Sequence, residues 1–148
     1  AAGPPAGAGL AGGAFAAVMA WQHDLDRFQA LPPHHRDHVI GRARDTNEEL
    51  DDAPESAHVK RAAMESFEPP AFMVRRSMPW GGVDAHGLVF IAYVRELARF
   101  EAVLRRMAGL DDGVVDALLS FSQPLTGGYY WCPPVAADGR LDLSALGL

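Results

Sequence analysis

The stretch GLVFIAYVRELARFEAVLRRMA, residues 87–108, changes its hydrophobic rhythm midway, and that change decides the fold. From Gly87 to Val94 the run is continuously apolar and rich in β-branched and aromatic residues, the pattern of a central strand. From Arg95 to Ala108 the apolar residues Leu97, Phe100, Val103, Leu104 and Met107 recur at helical spacing, with charged residues on the other face. A strand therefore hands over to an amphipathic helix that lies on a sheet.

Working towards the N-terminus, Phe72 to Arg75 predicts a strand, and Asp45 to Ser56 (DTNEELDDAPES) predicts an acidic, turn-rich surface loop. Two short helices are expected around Asp24 to Ala30 and Pro33 to Ile40, the second with proline near its start, where a missing N–H costs nothing. Ala14 to Trp21 (AFAAVMAW) suits a buried strand. Residues 1–13, nearly all Ala, Gly and Pro, offer no side chains for a core and predict a flexible lead-in to a domain spanning 14–148. Towards the C-terminus, Val114 to Phe121 predicts a short helix, and Gly128 to Cys132 a closing strand stopped by Pro133 and Pro134. The order strand, helix, strand, strand, helix, strand is the ferredoxin-like α+β pattern, an antiparallel sheet with helices on one face.

Composition narrows the function classes. The 148 residues are about one domain long, so one site is sought. A formal charge of -6, and no run of Lys and Arg with interleaved aromatics, argue against nucleic acid as a partner. The single cysteine, Cys132, rules out an internal disulfide framework and a cysteine zinc cluster, and makes the cytoplasm the default setting. No apolar stretch approaches the roughly 20 residues needed to span a bilayer.

Several motifs compete for a function. Gly7, Gly9 and Gly12 match the spacing of a dinucleotide loop, but no strand precedes them and a strand rather than a helix follows. His35-Arg36-Asp37 mimics a kinase catalytic loop without its downstream asparagine. His34, His35 and His38 place imidazoles at metal-binding helical spacing, yet no third ligand is near, and a polar helix face is the simpler account. Glu48, Glu49, Asp51 and Asp52 read as a solvated loop. His58, in ESAHVKR, stands where the acidic loop gives way to apolar sequence; on its own it reads better as a surface or hydrogen-bonded structural histidine than as a ligand. Arg75 and Arg76, in MVRRSMPWG, end a predicted strand, where a cation either pairs with a surface acid or points into a pocket to stabilise negative charge.

Taken together, VIGR (39–42), EELDDAPESAHV (48–59), MVRRSMPWG (73–81), GLVFIAY (87–93) and LLSFSQPLTGGYYWCPP (118–134) resemble, in order and spacing, the C-terminal half of the dye-decolourising peroxidases, most closely the bacterial B-type branch. The resemblance covers roughly Ala11 to Leu143 and implies half of a dimeric α+β barrel that holds haem b. It implies that His58 is the proximal iron ligand, that Asp116 hydrogen-bonds this imidazole, and that Arg75 is the distal cation. It further implies that Arg42 meets a haem propionate and that Phe90 packs against the porphyrin. Ser77 stands where the family usually has asparagine beside the distal pocket.

The family's G-x-x-D-G element, with its distal aspartate, is absent from the 148 residues. The resemblance therefore implies a complementary N-terminal half, from the same gene product or a separate subunit, and leaves open an oligomer of the completed unit. The expected activity is peroxidation: hydrogen peroxide as oxidant, dyes, phenols or similar small molecules as reductants. A haem-binding or haem-delivery protein with little turnover is the alternative. The last residues, DGRLDLSALGL, faintly resemble tails that direct proteins into shells, but read as the normal end of the domain.

Overall fold

The structure, a computed structural model, describes residues 11–148. Most of the expected lead-in, with Gly7 and Gly9, lies outside the described residues. Four strands, β1 (Ala14–His23), β2 (Val74–Gly81), β3 (His86–Val94) and β4 (Ser122–Cys132), form one antiparallel sheet in the order β2-β3-β1-β4. That order and direction are those of a ferredoxin-like unit, as the alternation of elements predicts.

The helices are α1 (Leu25–Ala30), α2 (Pro33–Ile40), α3 (His58–Arg61) and α4 (Leu97–Met107). Asp24 caps α1 by accepting from the Arg27 amide at 2.9 Å. Helix α2 begins on Pro33 and ends at Gly41 with φ of 90°, a left-handed turn that favours glycine. A side chain at Gly41 would also strike Val59, so the close approach of α2 to α3 needs this residue. Phe100, Val103 and Met107 form the buried stripe of α4, which lies on β1 and β3. They pack against Trp21, Ala17, Ala92 and Val94. Burying side chains of this size contributes roughly 1.5–3 kcal/mol each.

Three expectations need correction. Strand β2 runs from Val74 to Gly81 rather than Phe72 to Arg75, which puts Arg75 near its start and not at its end. The strand continues through the polar RRS and Pro79 because β2 is an edge strand, where polar residues and a proline are tolerated. Strand β4 begins at Ser122 and not at Gly128; Pro124 is accommodated because β4 is the other edge and its register shifts opposite Ala20 and Trp21. The expected helix from Val114 to Phe121 is a single 3-10 turn, Ala117–Ser120, with Asp116 as its cap. Among the described residues no helix is long and apolar enough to cross a membrane.

Candidate cofactor-binding site

The two faces of the sheet differ in what covers them. Alternate residues of three strands point to the helix side: Met19 and Trp21 from β1, Arg75 and Ser77 from β2, Leu88 and Phe90 from β3. These line a cavity of about 460 Å³ between the sheet and the helices, a size typical of small-molecule sites. Ser77, Phe90 and Met19 sit side by side across β2, β3 and β1. Val74, Arg76 and Met78 fall on the opposite face, where Val74 and Met78 are exposed.

From the helix side, His58 at the start of α3 enters the same cavity. Its Nδ1 donates to Asp116 Oδ2 at 2.8 Å. Asp116 is only 1% exposed, and its other oxygen accepts from the Leu118 amide at 2.9 Å. The backbone holds it further: the Asp116 amide donates to Met107 and the Ala117 amide to Ser56, each at 2.8 Å. A carboxylate fixed in this way sets both the tilt and the tautomer of the ring. The nitrogen left for a ligand is Nε2.

Arg75 reaches from β2 towards the Ala62 carbonyl at 3.4 Å, a long contact that anchors the guanidinium only loosely. Arg42, just beyond Gly41, donates to the Asn47 carbonyl at 2.8 Å and pairs with Glu49. It lines a second, adjoining pocket shared with His58, Arg75, Ser77 and Phe90. Of the six residues singled out from sequence, His58, Arg75, Ser77 and Phe90 line both pockets, Arg42 lines only the second, and Asp116 lies behind His58 and lines neither.

The competing histidines are elsewhere. His34 and His35 have ring centroids 4.2 Å apart, and His38 lies 3.5 Å from Asp52. Among the described residues, no group of three or more His, Cys, Asp or Glu is placed to hold a metal ion. His58 alone cannot complete a coordination sphere, so a metal there needs a cofactor that brings its own ligands.

Two contributors were not foreseen. Arg61, 5% exposed, binds Asp112 through two bonds of 2.7 and 2.8 Å and the Arg106 carbonyl at 2.6 Å. This ties α3, and with it His58, to the loop after α4. The Arg61 guanidinium is the main reason that the Asp112 carboxyl is lowered to about 2. His23, at the rim, meets Ser122 Oγ at 2.6 Å, and burial lowers its pKa below the ordinary histidine value. The alternation of AFAAVMAWQH puts His23 on the face of Met19 and Trp21, a signal that continuing the predicted strand by two residues would have revealed.

On a ferredoxin-like sheet, a histidine oriented by a buried carboxylate, an apolar cavity and an arginine on the facing strand make a candidate site for a cofactor held through an imidazole nitrogen. The family model described as "Dyp-type peroxidase, C-terminal" matches residues 4–137. A dye-decolorizing peroxidase of Mycolicibacterium paratuberculosis is 34% identical over 132 residues, covering 85% of this chain and 37% of the relative. The solved dye-decolorizing protein from V. cholerae superposes with a TM-score of 0.80 at 34% identity, covering 89% of this chain and 45% of that one. A DypB variant from Rhodococcus jostii, solved in complex with heme, gives a TM-score of 0.76 at 31% identity, covering 83% and 42%. This chain belongs to the dye-decolourising peroxidase family, as its C-terminal part. It spans less than half the length of these relatives.

Proposed function

We propose that the chain supplies the haem-holding half of a peroxidase that uses hydrogen peroxide to oxidise dyes, phenols or similar reductants. The observation that carries this reading is the His58–Asp116 pair opening onto the apolar cavity. The donor set fits haem b: one imidazole nitrogen is free, the walls are apolar, and the porphyrin supplies the remaining iron ligands. When bound, haem supplies the iron chemistry that reduces peroxide and then draws electrons from the reductant.

The chain's own residues divide the remaining work. His58 Nε2 holds the iron, while Asp116 keeps the ring oriented and, by accepting from Nδ1, makes it a stronger electron donor. Phe90 would supply an aromatic wall for the haem, and Arg42, now paired with Glu49, would be the cation available to a haem carboxylate. From the sheet side, Arg75 stabilises the negative charge that develops on a peroxide oxygen. Ser77 stands beside it and holds water.

No carboxylate lines the 460 Å³ cavity among the described residues. Glu49 and Glu65 line only the adjoining pocket and His23 is bonded to Ser122, so the base for the peroxide proton is read as an acid on a complementary segment, in the same polypeptide or a second one. The bare sheet face with Val74, Met78 and Tyr130 is where that segment packs, since exposed apolar area drives association at about 25 cal/mol per Å². The missing carboxylate also favours a second reading, haem binding or delivery with little turnover. Reconstitution with haem separates the readings: a Soret band with peroxide-dependent dye oxidation by the completed unit supports the peroxidase. A Soret band without turnover supports delivery, and no Soret band refutes both.

A further inference from the structure

The hydrogen bond between His58 and Asp116 joins two segments that are weak by themselves. Helix α3 is a single turn of four residues with no side-chain cap at its start, and a turn this short does not hold itself in water. Residues 109–116, which end on Asp116, are turn and coil. Something beyond local structure must fix the two segments if Nδ1 and Oδ2 are to stay 2.8 Å apart.

Arg61 supplies that second link. Its Nη1 and Nη2 donate to Asp112 at 2.7 and 2.8 Å, and Nη2 also donates to the Arg106 carbonyl at the end of α4, at 2.6 Å. Asp112 is fixed to its own loop in turn, because its Oδ1 accepts from the Val114 amide at 2.9 Å. Arg61 lies three residues after His58, and Asp112 four residues before Asp116, so the same segments are cross-linked twice and close a ring. Three helical residues rise about 4.5 Å, a spacing at which the second link stops the segments pivoting about the first. The planar fork adds a direction that a point charge lacks.

The neighbouring ion pair differs. Arg105 meets Asp111 at 2.7 Å with side chains 56% and 46% exposed, and it joins the end of α4 to the following loop without reaching α3. Arg61 is buried, and a buried cation deprived of its carboxylate is left unpaired. Arg61 lines neither pocket around His58, so its influence on the site passes through the His58–Asp116 pair.

We propose that Arg61 is a positioning residue for this pair: its fork onto Asp112 and the Arg106 carbonyl fixes the length and direction of the imidazole–carboxylate hydrogen bond, and with it the aim of Nε2 into the cavity. That Nε2 holds haem iron rests on the reading above; the clamp does not.

The test is hydrogen exchange in the completed protein, prepared without haem and carrying isotope-labelled histidine. It is read at the His58 Nδ1–H by NMR and at the Leu118 amide, the other donor to Asp116, by fragment mass spectrometry. Arg61→Met and Asp112→Ala should each speed exchange at both sites by about 10-fold, as expected for loss of a charge-assisted hydrogen bond. The Ala92 amide at the centre of the sheet should keep its rate. Arg61→Lys keeps the charge but not the fork and should exchange fast as well, while Arg105→Met should match the unaltered protein. If Arg61→Met does not fold, Asp112→Ala, made at the exposed end of the pair, carries the test. With haem bound, the iron reduction potential of the Asp112 variant should move towards that of Asp116→Asn. Unaltered exchange at His58 and Leu118 in Asp112→Ala, or an equal rise in Arg105→Met, overturns the clamp and leaves the peroxidase reading standing. Fast exchange in the Arg61 and Asp112 variants of a protein that shows no Soret band on haem addition supports the clamp and overturns the peroxidase reading.

Discussion

Replacing Asp116 tests how much of the site is held by one buried carboxylate. Its two oxygens accept two hydrogen bonds, from His58 Nδ1 and from the Leu118 amide, and it is 1% exposed. Asp116→Ala removes the cap of the 3-10 turn, worth about 1 kcal/mol by analogy with helix caps. It also strands the imidazole donor beside an apolar hole, at about 1–3 kcal/mol. Urea unfolding of the haem-free protein should therefore show a loss of about 2–4 kcal/mol. Asp116→Asn separates stability from function, because its amide oxygen can still cap Leu118 while the negative charge is gone. It should cost little stability, weaken haem binding about 10- to 100-fold, as is usual when a ligand's hydrogen-bond partner is lost, and raise the iron reduction potential. Haem titration and spectroelectrochemistry read these two quantities. An Asn variant with wild-type haem affinity and potential would refute the claim that Asp116 tunes His58.

Arg75→Leu should slow the reaction with peroxide by ~10² to 10³ in stopped-flow measurements and leave the Soret band in place. Arg76→Leu, on the opposite face, is the control, and equal losses from both would contradict the strand register. Asp112 is lowered to about 2, so the stability it confers is present above the unfolded carboxyl pKa of about 4. It is lost as pH falls towards about 2. Acid titration by circular dichroism should show this loss shrink in Arg61→Met, and an identical profile would contradict the pairing. Residues 1–148 purified alone should self-associate through the bare sheet face, and should bind the complementary segment there when it is added, as native mass measurement will show. A monodisperse, haem-loaded and fully active 15.9 kDa monomer would sink that account.

The sheet's centre was legible because β3 and α4 carry uninterrupted periodic signals. The edges were not. In β2 and β4 the signal is diluted by Arg, Ser and Pro, residues that an edge strand tolerates because half of its backbone groups need no partner. The 3-10 turn was mistaken for a helix because VVDALLSF has helical composition, while Asp116 gives its side chain to a cap and to His58 instead of to solvent.

For the site, the residues alone left His58 undecided between ligand and bystander. Only the family resemblance linked it to Asp116, 58 positions away, because no local pattern encodes a contact made by the chain's return after α4. Arg61 was invisible for the same reason: its partner Asp112 lies 51 residues on.

The central claim is that His58 Nε2 is the protein's ligand to the haem iron. The direct measurement is the Soret spectrum and haem stoichiometry of the completed protein carrying His58→Ala. The account predicts that haem is lost or severely depleted and that imidazole added to the buffer restores part of the band by occupying the vacated space. Full haem stoichiometry with an unshifted Soret band in that variant would contradict it.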